Sequence, residues 1–330
     1  MLKQEIMNKM VEAMEIQKGE LVLLNFWGED QERDVLHMVE YAIARIGAMS
    51  IALQQSRSVN AELFHHIDSD QVYDKYLSVF EKVDTVIDIC MYAAVIPGEN
   101  MREEDMPKYR NYMRSLFTVL SKKTKFIQIR IPTKANAENS NLEVNDFIVR
   151  MEDAYNIDYN ALKESCLMEK NKLKGKSKII LTTKDKYKLN FDMNGREWYM
   201  DAGDGDFPCG EIYIAPNEKE TNGTIFFHKF HWDGACYNDT LLTIVNGFIQ
   251  TSNHSTINEL LSELPEEGRI IGELGIGLNP NIKELCGYTT LDEKMLGTVH
   301  IGIGMNQMFG GSNAAPLHMD FVYEGEWTLL

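Results

Sequence analysis

The sequence predicts an α/β N-terminal domain with a mostly parallel sheet, followed by an α+β C-terminal domain with a largely antiparallel sheet. Up to about Pro132, short apolar runs alternate with amphipathic stretches of helical period, whereas strands and turns dominate after Ser177. The chain of 330 residues also exceeds the size at which single hydrophobic cores stop growing. We place the boundary in the lysine-rich run NKLKGKSK, which gives domains 1–176 and 177–330.

The N-terminal domain is predicted to begin with an amphipathic helix, in which Leu2, Ile6, Met10 and Met14 share a face. Strand and helix segments then alternate in this order: LVLLNFW, QERDVLHMVEYAIARIG, SIALQQS, SDQVYDKYLSVFEKV, TVIDICM, MPKYRNYMRSLFTVLSKK and FIQIRIP. Right-handed crossovers between such units give a mostly parallel sheet. A long polar helix is expected over about residues 141–172.

The C-terminal domain is predicted to consist of short strands with two helical segments, one at about residues 256–264 and one near Ile282. The predicted strands are KIILTT, KLNFDMNG, GEIYIAP, GTIFFHKFHWDG, LLTIVNGFIQT, RIIGELGIGLNP, GTVHIGIG and HMDFVYEGEWTLL. Their close spacing favours a largely antiparallel sheet.

Composition excludes several classes of protein. The 33 basic and 50 acidic residues give a net charge of −17, which makes nucleic acid and anionic membrane poor partners. No apolar run approaches the roughly 18 residues that a membrane span needs, and we expect a cytoplasmic protein. The five cysteines contain no Cys-x-x-Cys pair, so we expect neither a disulfide framework nor a zinc knuckle. Serine-hydrolase elbows, Walker loops and dinucleotide fingerprints are missing from the sequence.

Four predicted strands carry an acid or a histidine on an otherwise small or polar face. Residues two apart on a strand point to the same side, so His318 and Asp320 share one face of LHMDF. Glu273 shares its face with two glycines in GELGIG, and His300 does the same in TVHIGIG. In GEIYIAP, Glu211 shares its face with Tyr213 and Ala215. Glycine beside such a group leaves room for a metal ion or a substrate.

Burying these groups unpaired would cost several kcal/mol each, so ion pairs, hydrogen bonds or a metal must compensate them. A mixed carboxylate and imidazole set suits Zn²⁺, Co²⁺, Mn²⁺ or Fe²⁺. A second His-x-Asp pattern in FHKFHWDG places His231 and Asp233 on one strand face, and we interpret His231 as a substrate-contacting cavity wall.

The motifs GEIYIAP, GELGIGLNPNI, LDEKMLGTVHIGIG and FGGSNAAPLHMDFV, in this order, resemble the M29 family of metallo-aminopeptidases, the aminopeptidase T group. The resemblance implies a pair of divalent metals, a catalytic C-terminal domain and a homodimer that encloses an internal cavity. Carried over motif by motif, the implied metal ligands are Glu211, Glu273, His300, His318 and Asp320. Glu273 and His300 are the residues expected to act in catalysis.

One position departs from the family pattern. A tyrosine is expected a few residues after the third-motif histidine, and this sequence has Asn306, Gln307 and Met308 there. We predict Asn306 and Gln307 as substrate contacts. The same motifs also resemble 2,5-dihydroxypyridine dioxygenases, which bind one Fe²⁺ and have a histidine where Glu273 stands.

Three functions therefore stay open at the level of sequence. The first is an aminopeptidase with two zinc, cobalt or manganese ions bridged by Glu211 or Asp320, a peptide substrate, and Glu273 as general base or as a metal ligand. The second is a mononuclear Fe²⁺ ring-cleaving dioxygenase. The third is a binder of small molecules on the same fold without catalysis.

Overall fold

The computed structural model describes residues 2–67, 70–138 and 140–330. The helices are α1 (Gln4–Ala13), α2 (Arg33–Arg45), α3 (Arg57–His66), α4 (Asp70–Ser78), α5 (Met106–Leu120), α6 (Lys134–Glu138), α7 (Val144–Tyr155), α8 (Tyr159–Leu173), α9 (Ser255–Glu263) and α10 (Thr289–Asp292). The strands are β1 (Leu21–Trp27), β2 (Met49–Gln54), β3 (Thr85–Cys90), β4 (Lys125–Arg130), β5 (Lys178–Thr183), β6 (Tyr187–Asp192), β7 (Tyr199–Asp201), β8 (Asp206–Phe207), β9 (Glu211–Ile214), β10 (Asn222–Trp232), β11 (Ala235–Val245), β12 (Phe248–Ser252), β13 (Ile271–Gly277), β14 (Val299–Gly304), β15 (His318–Tyr323) and β16 (Trp327–Leu329). Within these described ranges, no helix combines the length and the apolar character needed to cross a membrane.

The chain divides into two compact units. The first comprises the residues up to Tyr159 together with Gly203–Pro208, and the second comprises Asn160–Ala202 and Cys209–Leu330. The domain boundary at residues 176 and 177 stays a prediction.

The single long helix expected over residues 141–172 is wrong, because α7 and α8 are separate helices. The chain leaves the helical conformation at Asn156, which has φ −88° and ψ 61°. Asn156 and Asp158 are residues that favour turns, and Ile157 between them is buried.

The first unit is built on a parallel sheet with the strand order β2-β1-β3-β4-β8, which confirms the predicted α/β class. The strand β8 comes from a distant part of the sequence and was not predicted. The predicted apolar face of α1 is buried. Met10 within the helix and Met14 directly after it are both fully inaccessible to solvent.

The second unit contains antiparallel sheets, which confirms the predicted class of strand pairing. The strands form two sheets, however, where a single sheet was predicted. One sheet has the order β12-β11-β10-β6-β5-β16 and the other has the order β15-β14-β13-β9-β7. Phe230 of the first sheet stacks on Phe321 of the second at 4.4 Å, and Trp232 lies 5.3 Å from Phe321. These aromatic contacts place a core between the two sheets.

The two helical segments predicted for this unit differ in outcome. The predicted helix at residues 256–264 is present as α9, one residue earlier at each end. The helix predicted near Ile282 is wrong. The Asn279 side-chain oxygen accepts the N–H of Asn281 at 3.0 Å, and such local bonds favour a turn over a helix.

The sheet β15-β14-β13-β9-β7 has two chemically different faces. One face is apolar and buried, and its members include Ile212, Ile214, Leu274, Ile276, Ile301, Ile303 and Phe321. The opposite face carries the predicted metal ligands, because side chains alternate along each strand.

Candidate metal centre

The five predicted ligands come together on one face of this sheet. Glu211 begins β9, Glu273 lies on β13, His300 lies on β14, and His318 and Asp320 lie on β15. Each lies opposite a glycine of a neighbouring strand: Glu211 opposite Gly277, Glu273 and Asp320 opposite Gly302, His300 opposite Gly275, and His318 opposite Gly304.

Two of these glycines lie where a side chain would displace a ligand. A Cβ atom at Gly275 would lie 2.0 Å from His300 Nε2, and one at Gly302 would lie 2.6 Å from Asp320 Oδ1. The glycines of GELGIG and TVHIGIG are therefore needed for space on the ligand face.

The ligand atoms form two groups that share one carboxylate. Glu211, Glu273 and His300 make one group and Glu273, His318 and Asp320 make the other, with the ligand atoms of each group within 4.8 Å of one another. His300 Nε2 lies 3.4 Å from Glu273 Oε1, and His318 Nε2 lies 3.2 Å from Glu273 Oε2. Glu273 therefore faces both groups, one oxygen toward each imidazole.

Carboxylates surround both imidazoles and favour their charged forms. Burial opposes this, but the hydrogen bond with Glu273 and the charge of Glu211 raise the pKa of His300 to about 9. Burial is likewise outweighed at His318, where Asp320 and then Glu273 raise the pKa to about 12. The centre thus favours positive charge at the positions of both imidazoles.

Sequence reasoning missed Lys294 and Glu293, which lie beside the ligands. Lys294 is 5% exposed, and its ammonium donates to a carboxylate oxygen of Glu211 and lies 3.0 Å from Glu293 Oε1. Burial raises the pKa of Glu293 to about 8, against the lowering effect of Lys294. The signal in the sequence that could have identified them is their position between two apolar residues, Leu291 and Met295, which are both buried.

The donor set of this centre fits divalent metal ions. Among the described residues, Glu211 Oε2, Asp320 Oδ1 and His300 Nδ1 are buried and find no hydrogen-bond partner. Such buried polar atoms are rare unless a ligand satisfies them. Three carboxylates and two imidazoles without a thiol suit zinc, cobalt, manganese or iron.

The other predicted site residues are not members of either ligand group. His231 is half-buried on β10, where its ring lies against Gly287, and burial lowers its pKa. The expected strand pair of His231 and Asp233 is wrong, because Asp233 lies in the turn after β10 with φ 51°.

The loop after β14 contains the residues that replace the family tyrosine. Asn306 is fully buried, and its amide donates to Glu218 and to the Gly272 carbonyl while its oxygen accepts the N–H of Asn313. Its polar groups are therefore used within the protein. Gln307 is exposed in the short 3₁₀ helix that follows.

A phenol does lie on the ligand face, at Tyr213. It follows Glu211 by two residues on β9, stacks on Tyr199 at 5.8 Å and contacts Phe309 edge-on at 5.4 Å. Phe309 in turn lies 5.9 Å from the His318 ring. Burial and then the charge of Glu211 raise the pKa of Tyr213, so the phenol stays protonated.

Another group of possible ligands, His65, Glu104 and Asp105, belongs to the first unit. Arg102 contacts the His65 ring, and Lys108 Nζ lies 3.1 Å from Asp105 Oδ1. Because side-chain cations already neutralise this group, it is a poor metal site.

The sequence model of the thermophilic metalloprotease (M29) family matches residues 11–321. The fold is similar to that of wild-type AmpT from Thermus thermophilus, with a TM-score of 0.67 and 14% identity, over 99% of this chain and 94% of that chain. At this identity the likeness shows the fold alone.

Two other solved structures have TM-scores too low to carry an argument. Ureidoglycine-glyoxylate aminotransferase (pucG) from Bacillus subtilis has a TM-score of 0.22 at 12% identity, over 50% of this chain and 43% of that chain. A fatty acid ABC transporter substrate-binding protein from Thermomonospora curvata has a TM-score of 0.23 at 11% identity, over 66% of this chain and 61% of that chain. No curated protein sequence matches the chain significantly.

Proposed function

The chain belongs to the M29 family of thermophilic metalloproteases, and from that premise we propose that it is a metal-dependent aminopeptidase. The observation that carries the proposal is the pair of ligand groups joined by Glu273. Two adjoining sets of carboxylate and imidazole donors are typical of hydrolases that use two divalent ions.

Glu211 and His300 would hold one ion, His318 and Asp320 would hold the other, and Glu273 would be shared. Bound divalent ions supply Lewis-acid polarisation of the scissile carbonyl and lower the pKa of water. Lys294 orients Glu211 through their ion pair and offsets part of the negative charge of the centre.

Glu273 is the carboxylate that we propose as general base, since it faces both ligand groups. A general base must lie within hydrogen-bond reach of the proton that it accepts. In this role, an oxygen of Glu273 that is not held by an ion would take a proton from the attacking water and deliver it to the leaving amine.

Tyr213 is the group that we propose in place of the family tyrosine. Its protonated phenol is a hydrogen-bond donor on the ligand face, and such donors stabilise the oxyanion that develops during peptide hydrolysis. Gln307 and His231 stay proposed substrate contacts, whereas the buried hydrogen bonds of Asn306 favour a role in holding the loop.

The decisive assay compares a short peptide that has a free N-terminus with its N-acetylated form. We expect hydrolysis of the free peptide alone, loss of activity on chelation and recovery with zinc, cobalt or manganese. Glu273→Gln keeps the side-chain volume and should lower kcat by about a hundredfold or more. The control Glu263→Gln changes an exposed residue of α9 and should have no effect.

Full turnover and full metal content in Glu273→Gln would remove the general-base assignment. Ring cleavage with oxygen uptake and one iron per chain would replace the peptidase by the dioxygenase alternative. A metal-replete chain that cleaves no peptide and retains a small ligand would identify a binder. A homodimer and a cytoplasmic location also remain proposals.

A further inference from the structure

A row of polar side chains crosses the middle of the parallel sheet in the first unit. Asn25 of β1 is paired with Asp88 of β3, and Asp88 is paired with Gln128 of β4. Every residue of β3 is buried, and Asp88 is only 5% exposed. A carboxylate in such a place destabilises the fold unless a partner compensates its charge.

The hydrogen-bond partners of Asp88 are neutral. Asn25 Nδ2 donates to Asp88 Oδ1 at 2.7 Å, and Gln55 Nε2 donates to Asn25 Oδ1 at 3.3 Å. No lysine, arginine or histidine in the described ranges forms an ion pair with Asp88. Burial raises the pKa of Asp88 to about 6 even though the Asn25 bond lowers it. At neutral pH the negative charge of Asp88 is therefore stabilised by neutral donors but by no cation of the described residues.

This polar row forms the base of a cavity of about 540 Å³ under α5. The walls are largely apolar and include Trp27, Tyr109, Met113, Leu116, Phe117 and Phe126. The buried indole of Trp27 and the side chain of Gln128 also hydrogen-bond Asp88 and favour its charged form. Cavities of roughly 300–1,000 Å³ with apolar walls and a few convergent polar groups are the usual form of a small-molecule site.

Charge is distributed unevenly around this cavity. Asp88 lies at its base, while Arg110 and Arg114 of α5 line it and are exposed to solvent. The base therefore complements a cation, and the exposed arginines complement an anion.

We propose that the first unit binds a small hydrophobic amine in this cavity, with its ammonium group against Asp88 and its apolar body against the aromatic and methionine side chains. If the ligand also has a carboxylate, as a free hydrophobic amino acid does, Arg110 and Arg114 bind it. The cavity belongs to a different unit from the metal centre, so the proposal is independent of the peptidase function.

The test is titration calorimetry of the full chain with phenethylamine, phenylalanine and 3-phenylpropionate. The two amines should bind with one site per chain and 3-phenylpropionate should bind at least tenfold more weakly. Because hydrogen bonds to charged groups are stronger than those between neutral groups, Asp88→Asn should weaken amine binding by about tenfold or more. Tighter binding of phenylalanine than of phenethylamine would identify an amino-acid site, and equal affinities a site for simple amines.

Two further variants keep the test decisive. Ala94→Phe places a ring in the cavity from a half-buried loop position and should abolish binding without altering the strands. Asp320→Ala disrupts the metal centre and should leave amine binding unchanged. The proposal is overturned if no amine binds, if 3-phenylpropionate binds as tightly, if Asp88→Asn has no effect, or if binding is lost in Asp320→Ala alone.

Discussion

In the metal centre and in the cavity of the first unit, the fold buries acidic side chains at a cost in free energy. At the metal centre, Asp320 is compensated by His318, whose charge lowers the Asp320 pKa to about 2 despite burial. In the parallel sheet of the first unit, the hydrogen-bond partners of Asp88 among the described residues are neutral. The same residue type therefore has opposite pKa shifts, and each shift gives a testable consequence.

His318→Ala and Asp320→Ala should each lose bound metal, because the two side chains belong to the same ligand group. Changes to residues around metal ligands cost about ten- to a hundredfold in affinity, so loss of a ligand should cost more. His231→Ala is the matched control and should keep its metal. Bound metal is measured by mass spectrometry, with circular dichroism as the fold check. Metal lost only from His231→Ala would move the site to β10.

Asp88→Asn should stabilise the protein more at pH 7 than at pH 4. The Asp88 pKa is about 6 in the folded chain against an ordinary 3.8, so the unfolded chain ionises first as the pH rises. Folding then requires proton uptake, and the wild type loses stability between about pH 4 and 6. Two pKa units correspond to about 3 kcal/mol. Urea unfolding of both proteins at the two pH values measures this, and a pH-independent difference would contradict it.

At the scale of strands and helices, the ligand face of the second unit could be predicted because side chains alternate with a period of two. This rule placed His318 and Asp320 on one side and Phe321 on the other. It could not place Glu293 and Lys294, which follow the short helix α10, since a turn has no periodicity that gives the direction of its side chains. In the first unit, Asp88 within the otherwise apolar strand TVIDIC was a signal in the sequence for the proposed amine-binding cavity.

Gly302→Ala tests the prediction that this strand face needs glycine. The new Cβ would lie 2.6 Å from Asp320 Oδ1 and 2.8 Å from Glu273 Cβ, so the ligands must shift. We expect metal affinity to fall by about ten- to a hundredfold while the fold is retained. In the control Gly268→Ala, the nearest atom is the flexible end of Leu317 at 3.2 Å. Equal metal affinity in the two variants would show that the glycine is not needed.

At the scale of the whole molecule, the sequence predicted the two classes of structure but not every segment that builds them. Local patterns gave the parallel strands β1 to β4 and the antiparallel strands of the second unit. They did not show that Asp206–Phe207 adds a strand to the first unit, because two residues carry no periodic signal. The division of the second unit into two sheets likewise depends on long-range packing.

The central claim is that this chain holds two divalent ions through ligand groups that share Glu273. The direct measurement is the metal content of the purified, unsupplemented protein, determined by mass spectrometry against protein concentration. We predict about two ions of zinc, cobalt or manganese per chain. One iron per chain, or a folded chain that retains no divalent metal even after loading, would contradict the claim.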